Sequence, residues 1–159
     1  MTNAVPMSQS RAVQTRLVLP ADTNHHQSIF GGCVLAYIDE IAAIAAMKHA
    51  QGEVVTASID SVDFLSPAYA GNILELEAIV TSTGRSSMEV YVRVMSRDIQ
   101  TNEERLTTES FVTMVAIGAD GKTVPVMEVY PETEMERRLF ETAPMRKEFR
   151  NAKRALAYK

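Results

Sequence analysis

From Phe30 to Gln51 the chain runs without a proline, and nearly every residue is apolar or small. A run of this kind predicts a buried helix of about 20 residues, roughly 30 Å long. Gly52 marks its end, as a glycine just past a helix terminus commonly does. One carboxylate, Asp39, stands in the middle of it. Residues three and four apart share a helix face, so Asp39 lies with Leu35, Ala36, Ala42, Ala43 and Ala46, none of which can hydrogen-bond or neutralise it. A carboxylate in apolar surroundings either finds a partner or has its pKa pushed upward. Asp39 is therefore the foremost candidate for chemistry; the alternative is a structural aspartate satisfied by a neighbouring subunit or a hydroxyl.

The flanking segments read as β-structure. Arg11 to Leu19 ends like a strand and is closed by Pro20, with a loop from Ala21 to Ser28 before the helix. Val54 to Leu65 is rich in β-branched residues. Asn72 to Ser82 alternates, with Leu74, Leu76, Ala78 and Val80 on one face and Glu75 and Glu77 on the other. After a Thr83-Gly84 turn, Ser87 to Ser96 alternates again, Met88, Val90, Val92 and Val94 inward and Glu89, Tyr91 and Arg93 outward. Leu106 to Ile117 is the fifth strand, and Asp120-Gly121 the next turn. One-sided alternation predicts an antiparallel sheet with a single covered face, and the long helix is the natural cover. Beyond Pro131 the character turns charged, predicting two short helices, Glu132 to Glu141 and Pro144 to Leu156, with Thr142 as cap of the second. The fold class is α+β. Residues 1–10 are expected to be a flexible N-terminus, 11–125 the main domain and 126–159 a C-terminal helical extension.

Bulk properties narrow the function. With 46% hydrophobic and 23% charged residues among 159, the chain has the composition of an ordinary globular domain. There is no run of about 18 apolar residues to span a membrane and no basic-then-apolar leader. A single cysteine, Cys33, suits a reducing compartment; the expected location is cytoplasmic. The net charge of -4 divides unevenly: the last 17 residues carry Arg146, Lys147, Arg150, Lys153, Arg154 and Lys159 against Glu148 alone, leaving the rest at -9. An acidic body argues against nucleic acid as a partner, and the basic tail reads as a solvated helix face.

Other residues carry two readings each. Gly31 and Gly32, where loop becomes helix, permit a ligand to approach backbone N–H groups at the positive end of a helix, or simply let the loop pass close to the sheet. Asp39 lies two turns beyond Gly32, on roughly the same face. Asn24 and Ser28 could orient a water or a carbonyl, or serve as turn residues and caps. His25 and His26 lack a third ligand at useful spacing, so no metal is expected. Cys33 reads as a small buried hydrophobe. Arg85, Ser86 and Ser87 offer a guanidinium and two hydroxyls suited to phosphate or ribose, though turns commonly carry such residues; Arg93 is a weaker candidate of the same kind.

Together these residues resemble the acyl-CoA thioesterases of the hot-dog fold, in the cytosolic acyl-CoA hydrolase branch. The motifs that carry the resemblance are Asp22-Thr23-Asn24 through Ile29-Phe30-Gly31-Gly32, Ile38-Asp39-Glu40, Val62-Asp63-Phe64-Leu65-Ser66-Pro67 with Gly71, and Gly84-Arg85-Ser86-Ser87, in the family's order across residues 15 to 118. The resemblance implies a long central helix wrapped by a curved antiparallel sheet, dimers whose helices pack together, and further assembly as a trimer of dimers, a homohexamer. The small residues Gly32, Ala36, Ala43 and Ala46 suit close helix packing. It further implies hydrolysis of fatty acyl-CoA to free fatty acid and CoA at the dimer interface. There Asp39 would be the catalytic carboxylate and Asn24 its partner from the other subunit, with Ser28 as the position that supplies the polar partner in some relatives. Gly32, with Gly31, would polarise the thioester carbonyl through backbone N–H, and Arg85, Ser86 and Ser87 would hold the nucleotide end of CoA. No cofactor is implied, CoA being part of the substrate. Two alternatives stand beside this one: a hot-dog acyl-thioester dehydratase, which would generally use a histidine base, and a non-catalytic sensor of acyl-CoA or nucleotide.

Overall fold

The computed structural model describes residues 3–157. Its centre is helix α1, Gly31–Ala50, laid across the inner face of a five-stranded antiparallel sheet. In chain order the elements are β1 Ala4–Pro6, β2 Ala12–Leu17, α1, β3 Val54–Phe64, β4 Ile73–Thr83, β5 Ser87–Arg97, β6 Glu104–Ala116, β7 Glu128–Tyr130 and helix α2 Glu134–Ala157. The sheet order is β2-β4-β5-β6-β3, so β3 and β2 are its edges. The alternation read from sequence is realised: Leu74, Leu76, Ala78 and Val80 of β4 and Met88, Val90, Val92 and Val94 of β5 are all 0% exposed. They face Val34, Ile38, Ile41, Ala42 and Ala45 of α1. Ala46 also lies in this core, so the outward small-residue face of α1 is confined to Gly32, Ala36 and Ala43. At the helix end it is Gln51, at φ 54° and ψ 41°, that takes the left-handed conformation, one residue before Gly52.

Three expectations are corrected. Residues 4–10 are built into the fold instead of hanging loose: β1 pairs in parallel with β7, Met7 is fully buried, and the hydroxyl of buried Ser10 accepts from the Val80 amide at 2.8 Å. The two short C-terminal helices are one, α2, running through Pro144. A proline inside a helix removes one amide donor and crowds the preceding turn. Here side chains serve that turn: the Thr142 hydroxyl, expected as a cap, donates to the carbonyls of Arg138 and Leu139, and Arg146 also donates to Leu139.

The third correction concerns the outer face of the sheet, which is not left to solvent because α2 crosses it. Glu89 of β5 is buried there, receiving two hydrogen bonds from Arg146 at 3.0 and 2.9 Å, one from Arg150 at 2.7 Å and one from Thr81 at 2.6 Å. Burial works to raise its carboxyl's pKa, but the bonds from Arg146, then Thr81 and Arg150, outweigh it and hold the group below the usual glutamate range. The basic residues of the tail thus pair in part with the protein's own acid. Lys159 lies outside the described residues.

Candidate active site

Asp39 is half-buried within one protomer, at the border between the face of α1 on the sheet and the open face of Gly32, Ala36 and Ala43. Its partner is one the sequence did not announce: the Thr56 hydroxyl donates to Asp39 Oδ1 at 2.7 Å. Thr56 sits near the start of β3, which returns alongside the helix it follows. The next acid on the helix, Glu40, turns the other way and takes hydrogen bonds from Gln14 and Arg16 of β2, both at 2.9 Å. The Gln14 bond and the nearby Arg16 charge hold its carboxyl below the usual range. Both acids keep one oxygen with no hydrogen bond among the described residues, but Glu40 is paired with the Arg16 guanidinium whereas Asp39 has only the neutral Thr56 hydroxyl.

The start of α1 is assembled by the loop before it. Asn24 closes that loop, its amide donating to the Ser28 carbonyl at 2.9 Å and its side-chain oxygen accepting from the His26 amide at 2.8 Å and the Ser28 hydroxyl at 3.2 Å. The oxygen is thereby occupied, leaving the carboxamide NH2 as the group Asn24 can offer. Ser28 acts on Asn24 instead of standing free. The loop is fastened to the segment before β4 by Ile29 donating to the Ala68 carbonyl at 2.8 Å and by the Ser28–Tyr69 bridge.

Gly31 and Gly32 begin the helix, and the Phe30 carbonyl already accepts from the amides of Cys33 and Val34. As first-turn residues, Gly31 and Gly32 have no carbonyl four residues back within the helix to bond. The two glycines differ in what they permit. A Cβ on Gly31 would come within 3.2 Å of the Phe64 ring, so that glycine serves packing against β3. A Cβ on Gly32 would meet nothing within 4 Å. Nothing in the protomer requires glycine there, since the space a side chain would take is open.

Between this helix start and the ends of β3 and β6 lies a cavity of about 430 Å³, walled by Ser28, Gly31, Val34, Phe64, Pro67 and Ala68 among others. The protomer does not bring Asn24 and Asp39 into contact by hydrogen bonds. Eight residues of helix, about 12 Å, separate Gly31 from Asp39.

Arg85 and Ser86 lie in the turn between β4 and β5, and Ser87 opens β5. Their carbonyls accept from the amides of Val126, Ala116 and Gly84, which fixes the turn. The Ser87 hydroxyl lies so near Gly84 that a Cβ there would clash at 2.5 Å. The Arg85 side chain is exposed and has no ion-pair or hydrogen-bond partner among the described residues. Through the ladder, Thr56 pairs with Met114 and Met114 with Met88, so this turn stands two strands from Thr56, about 10 Å away. Arg93 is tied to Glu77 at 3.1 Å on the outer face. Cys33 is half-buried against the core. His25 and His26 stack on each other on the loop surface, and the third histidine, His49, is buried near the far end of α1 with Nε2 2.7 Å from the Met127 carbonyl. Among the described residues there is no group of three or more metal-ligating side chains, and no helix long and apolar enough to cross a membrane.

The model of the Thioesterase superfamily matches residues 26–103. The uncharacterized acyl-CoA thioester hydrolase YkhA of Bacillus subtilis is 48% identical over 147 residues, 92% of this chain and 86% of that protein. Among solved structures, an apo-hexameric acyl-CoA thioesterase is 62% identical, with 99% of each chain covered and a TM-score of 0.93. An acyl-CoA hydrolase of Staphylococcus aureus, solved with butyryl coenzyme A, coenzyme A and coenzyme A disulfide, is 49% identical over 96% of this chain and 93% of its own, with a TM-score of 0.92. The same hydrolase has been solved with alanine replacing an asparagine, an aspartate and a threonine spaced 15 and 17 residues apart. The long helix on an antiparallel sheet is the hot-dog fold those structures share. Sharing nearly half its residues with an acyl-CoA thioester hydrolase over nine-tenths of its length, the chain belongs to the thioesterase superfamily, among its acyl-CoA thioester hydrolases.

Proposed function

We propose that the hydrolytic site is formed between two copies of the chain, Asp39 and Thr56 coming from one and Asn24 with the Gly31-Gly32 helix start from the other. The observation that carries this is Asp39 itself: one oxygen is held by Thr56 and the other is free, on a helix face of small residues that the protomer leaves uncovered. Asn24, Asp39 and Thr56 are separated by 15 and 17 residues, the spacing of the three positions replaced in the S. aureus hydrolase. The eleven-residue edge strand β3 has no partner on its outer side within the protomer, and an unpaired edge of that length suits pairing with a second copy. A homo-oligomer of dimers, a trimer of dimers, follows the hexameric relatives.

In this arrangement the thioester carbonyl oxygen lies at the Gly32 amide, where the helix dipole and the N–H stabilise the charge that builds on attack. The Asn24 NH2 donates to the same carbonyl or to the water. Asp39 accepts a proton from that water through Oδ2, or attacks directly, while Thr56 keeps the carboxylate from rotating. CoA leaves as a thiolate, with a thiol pKa of about 8.5, and so needs no strong acid behind it. Arg85, with Ser86 and Ser87, holds phosphate of the nucleotide, and no cofactor beyond the substrate's own CoA takes part. The lone cysteine fits a cytoplasmic location.

The test is thiol release from acyl-CoA by Asp39→Ala and Asn24→Ala, each alone and co-expressed. Each alone is inactive. Two-fold symmetry gives a mixed dimer one intact and one doubly damaged site, so random mixing returns roughly a quarter of wild-type activity. No recovery in demonstrably mixed oligomers would refute the shared site, and full turnover by Asp39→Ala alone would remove Asp39 from the chemistry.

A further inference from the structure

Phe64 ends β3, and its ring lies on the start of α1. A Cβ placed on Gly31 would stand 3.2, 3.5 and 3.8 Å from three atoms of that ring, Cζ being the nearest. The ring therefore enters tip-first and fills the space that a side chain at position 31 would take. Gly31 opens a right-handed helix and is not at positive φ. It is the ring, and not the backbone conformation, that asks for glycine here.

The ring is nonetheless 56% exposed, and it is not among the side chains packed against the hydrophobic core. Among the described residues it meets no other aromatic ring. Phe64 and its neighbour Leu65, 55% exposed, give the cavity at the helix start an accessible apolar side, and no charged side chain lines that cavity. Exposed apolar surface bordering a cavity suits contact with an apolar ligand.

The position of the ring decides what it can sense. The α-carbons of Gly31 and Gly32 are about 3.8 Å apart. A thioester carbonyl held at the Gly32 amide thus has C2 and C3 of its acyl chain beside the Phe64 ring, while the far end of a long chain lies beyond it. A ring so placed acts on the width of the acyl group near the thioester, not on its length. An unbranched chain presents only methylenes there and can lie along the ring. A methyl branch at C2 or C3 needs volume that the ring occupies, and forcing added carbon into filled space is destabilising.

We infer that Phe64 is a specificity-determining residue that selects unbranched acyl-CoA over acyl-CoA branched at C2 or C3. Gly31 is its companion, because the missing side chain is what lets the ring come so close. The inference rests on the proposed site, since it takes the carbonyl to lie at the Gly32 amide.

The experiment measures kcat/KM by thiol release for straight-chain acyl-CoA and for its 2-methyl and 3-methyl isomers of equal carbon number. Branching slows thioester hydrolysis by itself, so each straight-to-branched ratio is set against the ratio for hydroxide acting on the same compounds. One misplaced carbon in a fitted pocket is worth roughly tenfold or more, and the unaltered protein exceeds the hydroxide ratio by that factor. In Phe64→Ala the ratio falls to near the hydroxide value, and in Phe64→Leu it falls partway. A ratio on the unaltered protein no greater than that of hydroxide overturns the inference and needs no variant to fold. A ratio that persists in both variants, with straight-chain turnover retained, also overturns it. Either result leaves the shared site standing. Failure of the Asp39 and Asn24 variants to complement would strike the shared site, with the substrate ratios unaffected.

Discussion

The junction between α2 and the sheet allows a quantitative prediction for Glu89→Gln. The glutamate side chain is 1% exposed, and its two arginine partners, Arg146 and Arg150, are 20% and 16% exposed. Glutamine preserves the shape and one acceptor oxygen, but removes the charge from two partly buried guanidinium groups and turns an NH2 toward their donors. Breaking a buried pair from one side costs about 3–5 kcal/mol. Arg146 retains the Thr142 hydroxyl, the Leu139 carbonyl and the Phe111 ring 4.2 Å beneath its guanidinium, which places the expected cost at the lower end, about 3 kcal/mol. For a chain of this size that lowers Tm by roughly 6–12 °C, read by calorimetry at one fixed protein concentration because assembly also stabilises.

The loss is local first. Hydrogen exchange accelerates across α2 and the Thr81 and Glu89 region before the inner ladder of β4, β5 and β6 opens. Replacing all three charges together, Glu89→Leu with Arg146→Met and Arg150→Leu, removes the desolvation cost along with the attraction and returns stability to near wild type. Because the folded carboxyl is held below its unfolded value, the clamp contributes fully above the unfolded glutamate pKa, about 4.3. It is lost as pH falls through the lower, folded value, and Glu89→Gln flattens that part of the acid-denaturation curve. A Tm within about 2 °C of wild type, together with unchanged exchange in α2, would refute the reasoning.

Thr56→Val removes one hydrogen bond to a carboxylate, worth about 1.5–3 kcal/mol, so kcat drops by roughly 10- to 150-fold with KM little changed; an unaltered kcat would show that Thr56 does not orient Asp39. Gly32→Ala adds a Cβ where the protomer has open space. It leaves Tm at or above wild type, since alanine favours helix by up to about 1 kcal/mol, while thiol release collapses; retained activity would remove close backbone approach from the mechanism. Arg85→Glu raises KM for acyl-CoA and spares kcat, and the KM of the wild-type enzyme rises with salt. A salt-independent KM would place the nucleotide elsewhere.

The inner half of the fold was legible because its signals are local. Period-two alternation in β4 and β5 and a proline-free apolar run are readable within one segment, and Leu74 to Val80 and Met88 to Val94 fell on the faces their spacing dictated. What escaped depends on other segments. Glu89 reads as an outward polar residue until α2 covers it, and Pro144 reads as a helix start until Thr142 and Arg146 turn back onto the carbonyls before it. The first ten residues carry no strand pattern because β1 is three residues long and pairs in parallel with β7, more than 120 positions away. Thr56 was hidden among strand-forming residues, and only the return of β3 alongside α1 after the Gln51-Gly52 turn brings its hydroxyl to Asp39.

Asp39 first stood out as a charge with no neighbour able to answer it, and within a protomer Thr56 answers half of it. A neutral hydroxyl on one oxygen fixes the direction of a carboxylate without cancelling its charge, and the other oxygen has no hydrogen-bond partner among the described residues. The loop that could complete the site cannot reach it from the same copy: Asn24 and Ser28 are bonded to each other, and their loop is fastened near Ala68 and Tyr69, about 12 Å of helix away from Asp39. Moving Asn24 to Asp39 within one chain would break those bonds and unseat the cavity wall at Ser28. A second copy laid against Gly32, Ala36 and Ala43 breaks none of them, and a two-fold axis makes the exchange reciprocal, each copy giving an acid and receiving a donor. Small residues at Gly32 and Ala36 then have a reason that packing inside the protomer does not provide. On this arrangement an isolated protomer holds every catalytic residue and has no active site, so dilution that separates the copies must extinguish hydrolysis in step with assembly.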